Sequence, residues 1–155
     1  MSAPEQMKDI EFLEGILDAD MKIKMDENAT DWTEAKGVAT YNMDMDGCAV
    51  RMVYKSEFMG QDYIGQMIQC FDRETGKWQS VWLDNMSARM SMYEGEKDGD
   101  KMVLTGEDIY KGQKYISRIS TYNETSTSFD WKMGHSMDGG KTFMTSGMAH
   151  YTKRQ

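Results

Sequence analysis

The chain has 155 residues and a net charge of −8, with 26 acidic against 18 basic side chains. That charge repels phosphate backbones and anionic lipids, and no apolar run approaches the roughly 20 residues of a membrane span, so we expect neither a nucleic-acid nor a membrane partner. Hydrophobic residues make up 39% of the chain, which at this length predicts one folded domain over residues 1–155.

The first predicted element is a short helix over residues 2–14. Ser2 and Glu5 have the spacing of a capping box, and Pro4 suits a first helical turn. The apolar positions of this segment fall on one stripe, which consists of Met7, Ile10 and Leu13.

After Gly15 the apolar period changes from helical to two, which is typical of half-buried strands. The first such strand runs from Leu17 to Met25. Turn signals then follow at intervals of 10 to 15 residues and separate ten predicted strands. The predicted turns are 28–31, 46–47, 59–60, 75–76, 84–87, 98–99, 111–112, 123–124 and 138–140.

Ten consecutive antiparallel strands form an unusually wide sheet, which normally curls and closes to remove its exposed edges. The sequence therefore predicts an all-β fold, an up-and-down barrel of about ten strands with the N-terminal helix closing one end. Its apolar interior is predicted from two alternating segments. They are Phe129, Trp131, Met133, His135 and Met137, and Met86, Ala88, Met90 and Met92.

Several turn-rich stretches carry a resemblance to a known family. Residues 12–15 lie where lipocalin-like (calycin) barrels place the start of their Gly-x-Trp motif, with Leu17 in the place of the tryptophan. Residues 71–78, 81–87, 93–96, 136–143 and 149–151 resemble a bacterial calycin family, the domain of unknown function fifteen-seventy-nine. The resemblance implies a lipocalin-like barrel and no particular activity.

The two histidines are the candidate polar groups of the interior. His135 shares a face with Trp131 and Met133, and His150 follows Met148 by two residues. A histidine inside an apolar barrel ligates haem iron, acts as a general base, or forms a hydrogen bond to a neighbour or ligand. We favour the hydrogen bond for both and predict no cofactor and no metal ligand.

Methionine is unusually frequent, with 17 residues. Pairs two residues apart on a strand, such as Met43 and Met45, suit a soft cation such as Cu(I), but flexible methionines also line irregular apolar interiors. Because the methionines are spread along the whole chain, we favour a lining role. Separately, Ser136, Asp138, Gly140 and Thr142 match a single Asp-box, which predicts a turn clamp without catalysis.

Cys48 and Cys70 flank the predicted turn at Met59-Gly60 symmetrically, which would bring them opposite each other around an odd-length loop. The first residues show neither the basic nor the apolar region of a signal peptide, which predicts a cytoplasmic protein. We therefore expect both thiols to stay reduced.

The predicted function is the binding of a small hydrophobic ligand, of the acyl-chain or isoprenoid type, inside the barrel. The alternatives are a barrel enzyme with His135 as base, a haem or porphyrin binder, and a solid barrel that acts through its surface or as a homodimer. No catalytic motif is present, so a binding protein is favoured over an enzyme. The predicted ligand-binding residues are Tyr54, Trp82, Met90, Met92, Trp131, Met133, His135 and His150.

Overall fold

The structure, a computed structural model, describes residues 1–26 and 28–155. Ten antiparallel strands pair in chain order, and the first also pairs with the last, which closes the sheet into a barrel. This confirms the predicted all-β barrel with a short N-terminal helix. The strands are β1 (Gly15–Ile23), β2 (Thr33–Asp44), β3 (Ala49–Phe58), β4 (Gln61–Asp72), β5 (Lys77–Asp84), β6 (Ser91–Asp98), β7 (Lys101–Tyr110), β8 (Gln113–Tyr122), β9 (Ser128–Ser136) and β10 (Met144–Lys153).

Each turn predicted from the sequence lies at a junction between two strands. Two of the tight hairpins are closed by Met59-Gly60 and Lys111-Gly112, where both central residues have positive φ, between 49° and 78°. Such turns match the right-handed twist of the flanking strands. β1 ends at Ile23, two residues before the predicted Met25, which is 43% exposed.

The N-terminal helix spans Glu5–Leu13 and is a 3₁₀ helix. No side chain caps it, so the predicted capping box at Ser2 is wrong. Its apolar residues recur every third position, which is the period of a 3₁₀ helix, and they therefore form one buried line. The buried line consists of Met7, Ile10 and Leu13.

Among the described residues, no helix is long and apolar enough to cross a membrane.

The two ends of the barrel are distinguished by the helix. Because neighbouring strands run in opposite directions, the starts of odd-numbered strands and the ends of even-numbered strands meet at one end. The helix leads into the start of β1 and is held at this end by Lys153, whose Nζ donates to the carbonyl of Phe12 at 2.8 Å. We call this the closed end and the opposite end the mouth.

The closed end contains a pair of stacked aromatic rings and an ion pair. The rings of Phe129 and Tyr151 stack with centroids 4.6 Å apart, and both side chains are buried. A nearly buried ion pair joins Lys97 to Glu124 at 3.0 Å. The closed end is therefore sealed by both apolar contacts and a paired charge.

Both cysteines carry free thiols. In the hairpin of β3 and β4 the two-residue turn places Val50 opposite Gln69, so Cys48 and Cys70 lie one position out of register. The symmetric spacing around Met59-Gly60 therefore does not bring the two cysteines directly opposite each other.

Candidate functional site

A cavity of about 500 Å³ occupies the barrel interior. At the closed end its wall is formed by buried side chains of the helix, including Ile10 and Leu13. At the mouth its wall includes Met25 and Met86, which are 43% and 67% exposed, so the cavity opens to solvent there. The barrel is therefore hollow and accessible from one end.

Large aromatic rings line the cavity because strand glycines make room for them. A Cβ atom on Gly65 would overlap the ring of Trp82, and one on Gly147 would lie 3.0 Å from the ring of Trp131. Both tryptophans belong to the cavity wall. The glycines thus let two large rings cover the wall and leave the cavity open.

The carboxylate of Asp84, at the mouth, is held by neutral donors. Its Oδ2 accepts hydrogen bonds from Trp82 Nε1 at 2.8 Å and Tyr63 Oη at 3.1 Å. Its Oδ1 accepts from the backbone N–H groups of Met86 and Ser87. Burial would raise the pKa of Asp84, but these hydrogen bonds outweigh it and hold the pKa below its usual value. Asp84 therefore stays negative at neutral pH, and no cationic side chain in the described ranges pairs with it.

A second carboxylate at the mouth, Asp108, is paired. Arg89 lies 2.6 Å from its Oδ1, and the hydroxyl of Ser91 donates to its Oδ2 at 3.1 Å. The guanidinium also donates to the carbonyl of Ile109 at 2.6 Å, so both of its terminal nitrogens have a partner within the protein. Burial and the nearby Asp108 charge raise the pKa of Tyr115 to about 12, which keeps this phenol protonated.

His135 lines the cavity beside this cluster. Its Nδ1 lies 3.0 Å from the hydroxyl of Ser146, and its ring meets the Tyr115 ring edge-on at 5.0 Å. Burial lowers the pKa of His135, and the charge of Asp108 opposes that effect without cancelling it. The imidazole is therefore neutral at pH 7 and can donate or accept a hydrogen bond in the cavity.

A metal ion would find few ligands in this site. Among residues 1–26 and 28–155, no three His, Cys, Asp or Glu side chains lie close enough together to hold one. His135 is the single histidine of the cavity wall in that part of the chain. It suits a hydrogen bond to a ligand, or axial coordination of a haem iron through one ring nitrogen.

Five of the eight predicted ligand-binding residues line the cavity. Their orientation follows from the period of two, since each lies on the inward face of its strand. Their contact with a ligand stays a prediction. These residues are Tyr54, Trp82, Trp131, Met133 and His135.

Met90 and Met92 do not line the cavity, so their predicted inward orientation is wrong. They are 70% and 61% exposed. β6 begins only at Ser91, and Ser91 and Tyr93 are its buried residues. Because the hydroxyl of Ser91 is bonded to Asp108, the polar face of this segment lies inside and the methionines face solvent.

His150 also lies outside the barrel, and its predicted inward orientation is wrong. Its Nδ1 is 2.6 Å from Asp130 Oδ1, while Asn123 donates to the other oxygen of that carboxylate at 2.8 Å. The inward residues of this part of β10 are Ala149 and Tyr151, both buried. The stacking of Tyr151 at the closed end thus sets the phase of the strand.

The polar cluster at the mouth was missed by the sequence analysis. A signal for it existed, because Asp84 follows Trp82 by two residues and Asp108 follows Leu104 by four, which places each on the inward face. A carboxylate on an inward face was not expected, because inward residues were assumed to be apolar. The missed wall residues are Asp84, Arg89, Ser91, Asp108 and Tyr115.

The single Asp-box forms a turn clamp. Asp138 accepts from the Ser136 hydroxyl at 2.7 Å and from the Thr142 backbone N–H at 2.9 Å. Its bonds to the Thr142 side chain and backbone, followed by that to Ser136, hold the pKa of Asp138 at about 2. The aromatic Phe143 packs against the guanidinium of Arg118 at 3.8 Å. Every group of the motif is engaged in the turn.

Residues 6–151 match the family described as protein of unknown function (DUF1579). This is the family that the turn-rich stretches of the sequence resemble, so the resemblance is confirmed. No curated protein matches the chain.

Three solved structures share the fold. Rv2717c from M. tuberculosis superposes with a TM-score of 0.70 at 9% identity, over 99% of this chain and 100% of that one. The S-type phycobiliprotein lyase CPES from Guillardia theta gives 0.61 at 9% identity, over 96% and 92%. EF1p2_mFAP2b bound to DFHBI gives 0.51 at 12% identity, over 97% and 100%. At these identities the likeness shows the fold alone.

Proposed function

We propose a function from the barrel itself, because the chain belongs to the DUF1579 family, which is described as being of unknown function. The function is the binding of one small, mainly apolar molecule, of the acyl-chain or isoprenoid type, inside the barrel. The protein acts as a single-domain cytoplasmic carrier.

The observation that carries this proposal is the cavity of about 500 Å³ that opens at one end of the barrel. Ligand pockets of about 300–1,000 Å³ with apolar and aromatic walls and a few polar groups hold most of a small molecule's surface. Here Trp131 and Met133 supply apolar wall, and His135 and Tyr115 supply polar groups near the mouth. The solved barrel bound to DFHBI supports the view that this fold accommodates a small molecule.

The methionines of the cavity wall favour the binding of several apolar ligands over selectivity for one. Met133 and Met67 have flexible, polarizable side chains that adapt to guests of different shape. We expect binding in the micromolar range, about −8 kcal/mol, for several apolar chains.

The test is the binding of Nile red, an uncharged apolar dye, to the native protein. The dye is expected to quench tryptophan fluorescence, and Trp131→Phe is expected to remove a large part of that quenching. Trp32→Phe is the matched control, because Trp32 lies outside the cavity and stacks under Lys24. Absence of any dye binding would overturn the proposal in favour of a surface or dimer function.

Native mass spectrometry of protein purified from its source identifies the ligand class. A co-purifying lipid is the expected result. A Soret absorbance in the purified protein would instead select the haem alternative. The two results do not overlap, because an acyl or isoprenoid chain has no absorbance in that range.

A second candidate function is supported by His135. Its neutral imidazole faces the cavity beside Asp108 and Tyr115, which is the arrangement of a general base near a bound substrate. If the protein converts its ligand, His135→Gln is expected to keep dye binding and stop the conversion. Mass spectrometry of the ligand recovered after incubation measures both.

A further inference from the structure

We infer that the polar end of the ligand carries no negative charge and forms hydrogen bonds, as an aliphatic alcohol does. This inference rests on the proposed function and names the head group of the molecule in the barrel. It excludes fatty acids, whose carboxylate is ionised at neutral pH, as the preferred guests.

The charged side chains at the mouth disfavour a negatively charged head group. Asp84 is a wall carboxylate whose donors are all neutral groups, so its charge is not neutralised by a neighbour. A second carboxylate on the same part of the wall, Asp108, faces the cavity as well. A ligand carboxylate held here would be a like charge in a partly desolvated space, where repulsion is weakly screened.

The guanidinium of the mouth does not offset this repulsion. Arg89 is bonded to Asp108 and to the carbonyl of Ile109, both at 2.6 Å. A ligand carboxylate that shared this guanidinium would also lie close to the negative charge of Asp108. The pair therefore presents little net positive charge to a guest.

Lys24, on the rim, is turned to a different partner. Its Nζ lies 5.1 Å from the centre of the Trp32 ring. Three strands of the barrel separate β1, from which Lys24 extends, from β5, which ends at Asp84. A head group beside Asp84 is thus on the far side of the mouth from Lys24.

A buried hydroxyl supplies a second and independent observation. Ser117 is 1% exposed and belongs to the cavity wall, and its Oγ has no well-formed hydrogen bond among the described residues, although the Tyr93 phenol lies near it. It lies opposite His135 in the pairing of β8 with β9. An unsatisfied buried hydroxyl beside a neutral imidazole is a site for an uncharged polar group, because either can complete a hydrogen bond to it.

The test compares three ligands with the same twelve-carbon chain: 1-dodecanol, dodecylamine and dodecanoate. Each displaces bound Nile red at pH 7 and below its micellar concentration. We expect dodecanoate to bind at least about tenfold more weakly than dodecanol, a difference of about 1.4 kcal/mol. Dodecylamine is expected to bind more tightly than dodecanoate by a similar factor.

Two results would overturn the inference and leave the proposed function standing. One is that dodecanoate binds as tightly as dodecanol. If Lys24→Met then weakened dodecanoate binding, the carboxylate head group would lie at Lys24. The other is that dodecanoate and dodecylamine bind equally weakly, because carboxylates in the wall would repel the anion and not the cation. Failure of Nile red to bind at all overturns the proposed function instead.

Variants of single residues test which side chains weaken the binding of dodecanoate. Asp84→Asn is expected to improve dodecanoate binding about fivefold relative to dodecanol, a gain of about 1 kcal/mol. Because Asp84 also ties down its own turn, Asp108→Asn is the second variant, in which Arg89 loses its counter-charge and dodecanoate again gains. Asp130→Asn, on the outer face beside His150, is the control and is expected to change neither ligand. If neither cavity variant improves dodecanoate binding, the inference is wrong.

Discussion

The closed end and the mouth of the barrel differ in how their side chains are satisfied. At the closed end, helix residues such as Ile10 are buried against the strands, and the ion pair of Lys97 with Glu124 is nearly buried. At the mouth, Asp84 is ionised without a cationic partner and Met86 is 67% exposed. The side chains that stabilise the fold are therefore concentrated at the closed end, and the groups available to a ligand lie at the mouth.

The largest expected effect is on stability at the closed end. Ile10→Ala removes a fully buried side chain from the helix that seals the barrel and should lower the free energy of unfolding by about 2–5 kcal/mol. Met86→Ala, at the exposed mouth, should change it by less than about 0.5 kcal/mol. Urea unfolding measures both variants. Equal losses would contradict the division between the two ends.

A glycine substitution tests the packing of an aromatic ring near the mouth, where Gly65 pairs with Asp84. Gly65→Ala places a Cβ where the Trp82 ring lies, and overpacking of this kind costs about 1–3 kcal/mol. Trp82→Leu should relieve the overlap, so the cost of Gly65→Ala should shrink in that background. A double-mutant cycle of unfolding free energies measures the coupling. Additive effects would show that the glycine is not needed for the ring.

At the closed end burial raises the pKa of Glu124, whereas the mouth has a pH dependence that comes from His135. Its pKa is lowered from the model-compound value of 6.5 because burial disfavours the charged ring. Between the folded and unfolded pKa values the unfolded chain binds more protons, so stability rises with pH in that window and is lost as pH falls below 6.5. His135→Gln should flatten this loss between pH 7 and pH 5. His150→Gln, at the outer face, should leave it in place.

The smallest effects are expected on the outer face. Met90→Gln and Met92→Gln should change stability by less than about 0.5 kcal/mol and should leave Nile red affinity unchanged, since both side chains are exposed. Met133→Gln, on the cavity wall, should weaken dye binding. A loss of dye affinity in the Met92 variant would mean that the ligand binds outside the barrel.

The fold was predictable because its signals are local. Turn residues such as Gly60 and Gly112 mark where the chain reverses, and alternation along β9 places Trp131 and His135 on one face. A closed barrel then follows from the number of strands. The 3₁₀ geometry of the helix was missed, although its apolar period of three is visible in the sequence.

The phases of β6 and β10 were predicted wrongly because apolar residues were assumed to face inward. In β6 the inward serine is satisfied by Asp108 from the neighbouring strand, a partner that the local pattern does not reveal. In β10 the phase is set by the stacking of Tyr151 on Phe129. Contacts between strands decide both cases, and a single strand's alternation cannot supply them.

The pairing of β1 with β10 has a consequence for how the barrel folds. Every other pairing in the described barrel joins strands that are neighbours in sequence, whereas Leu17 and Lys153 are more than a hundred residues apart. The hairpins can form locally, but this seam requires closure of nearly the whole chain and should be the slow step of folding. A circular permutant that joins the two chain ends and opens the Lys111-Gly112 turn would make the seam local. The β7–β8 pairing then becomes the long-range seam, so closure still spans nearly the whole chain and the permutant should refold at a similar rate, with the same cavity at the end.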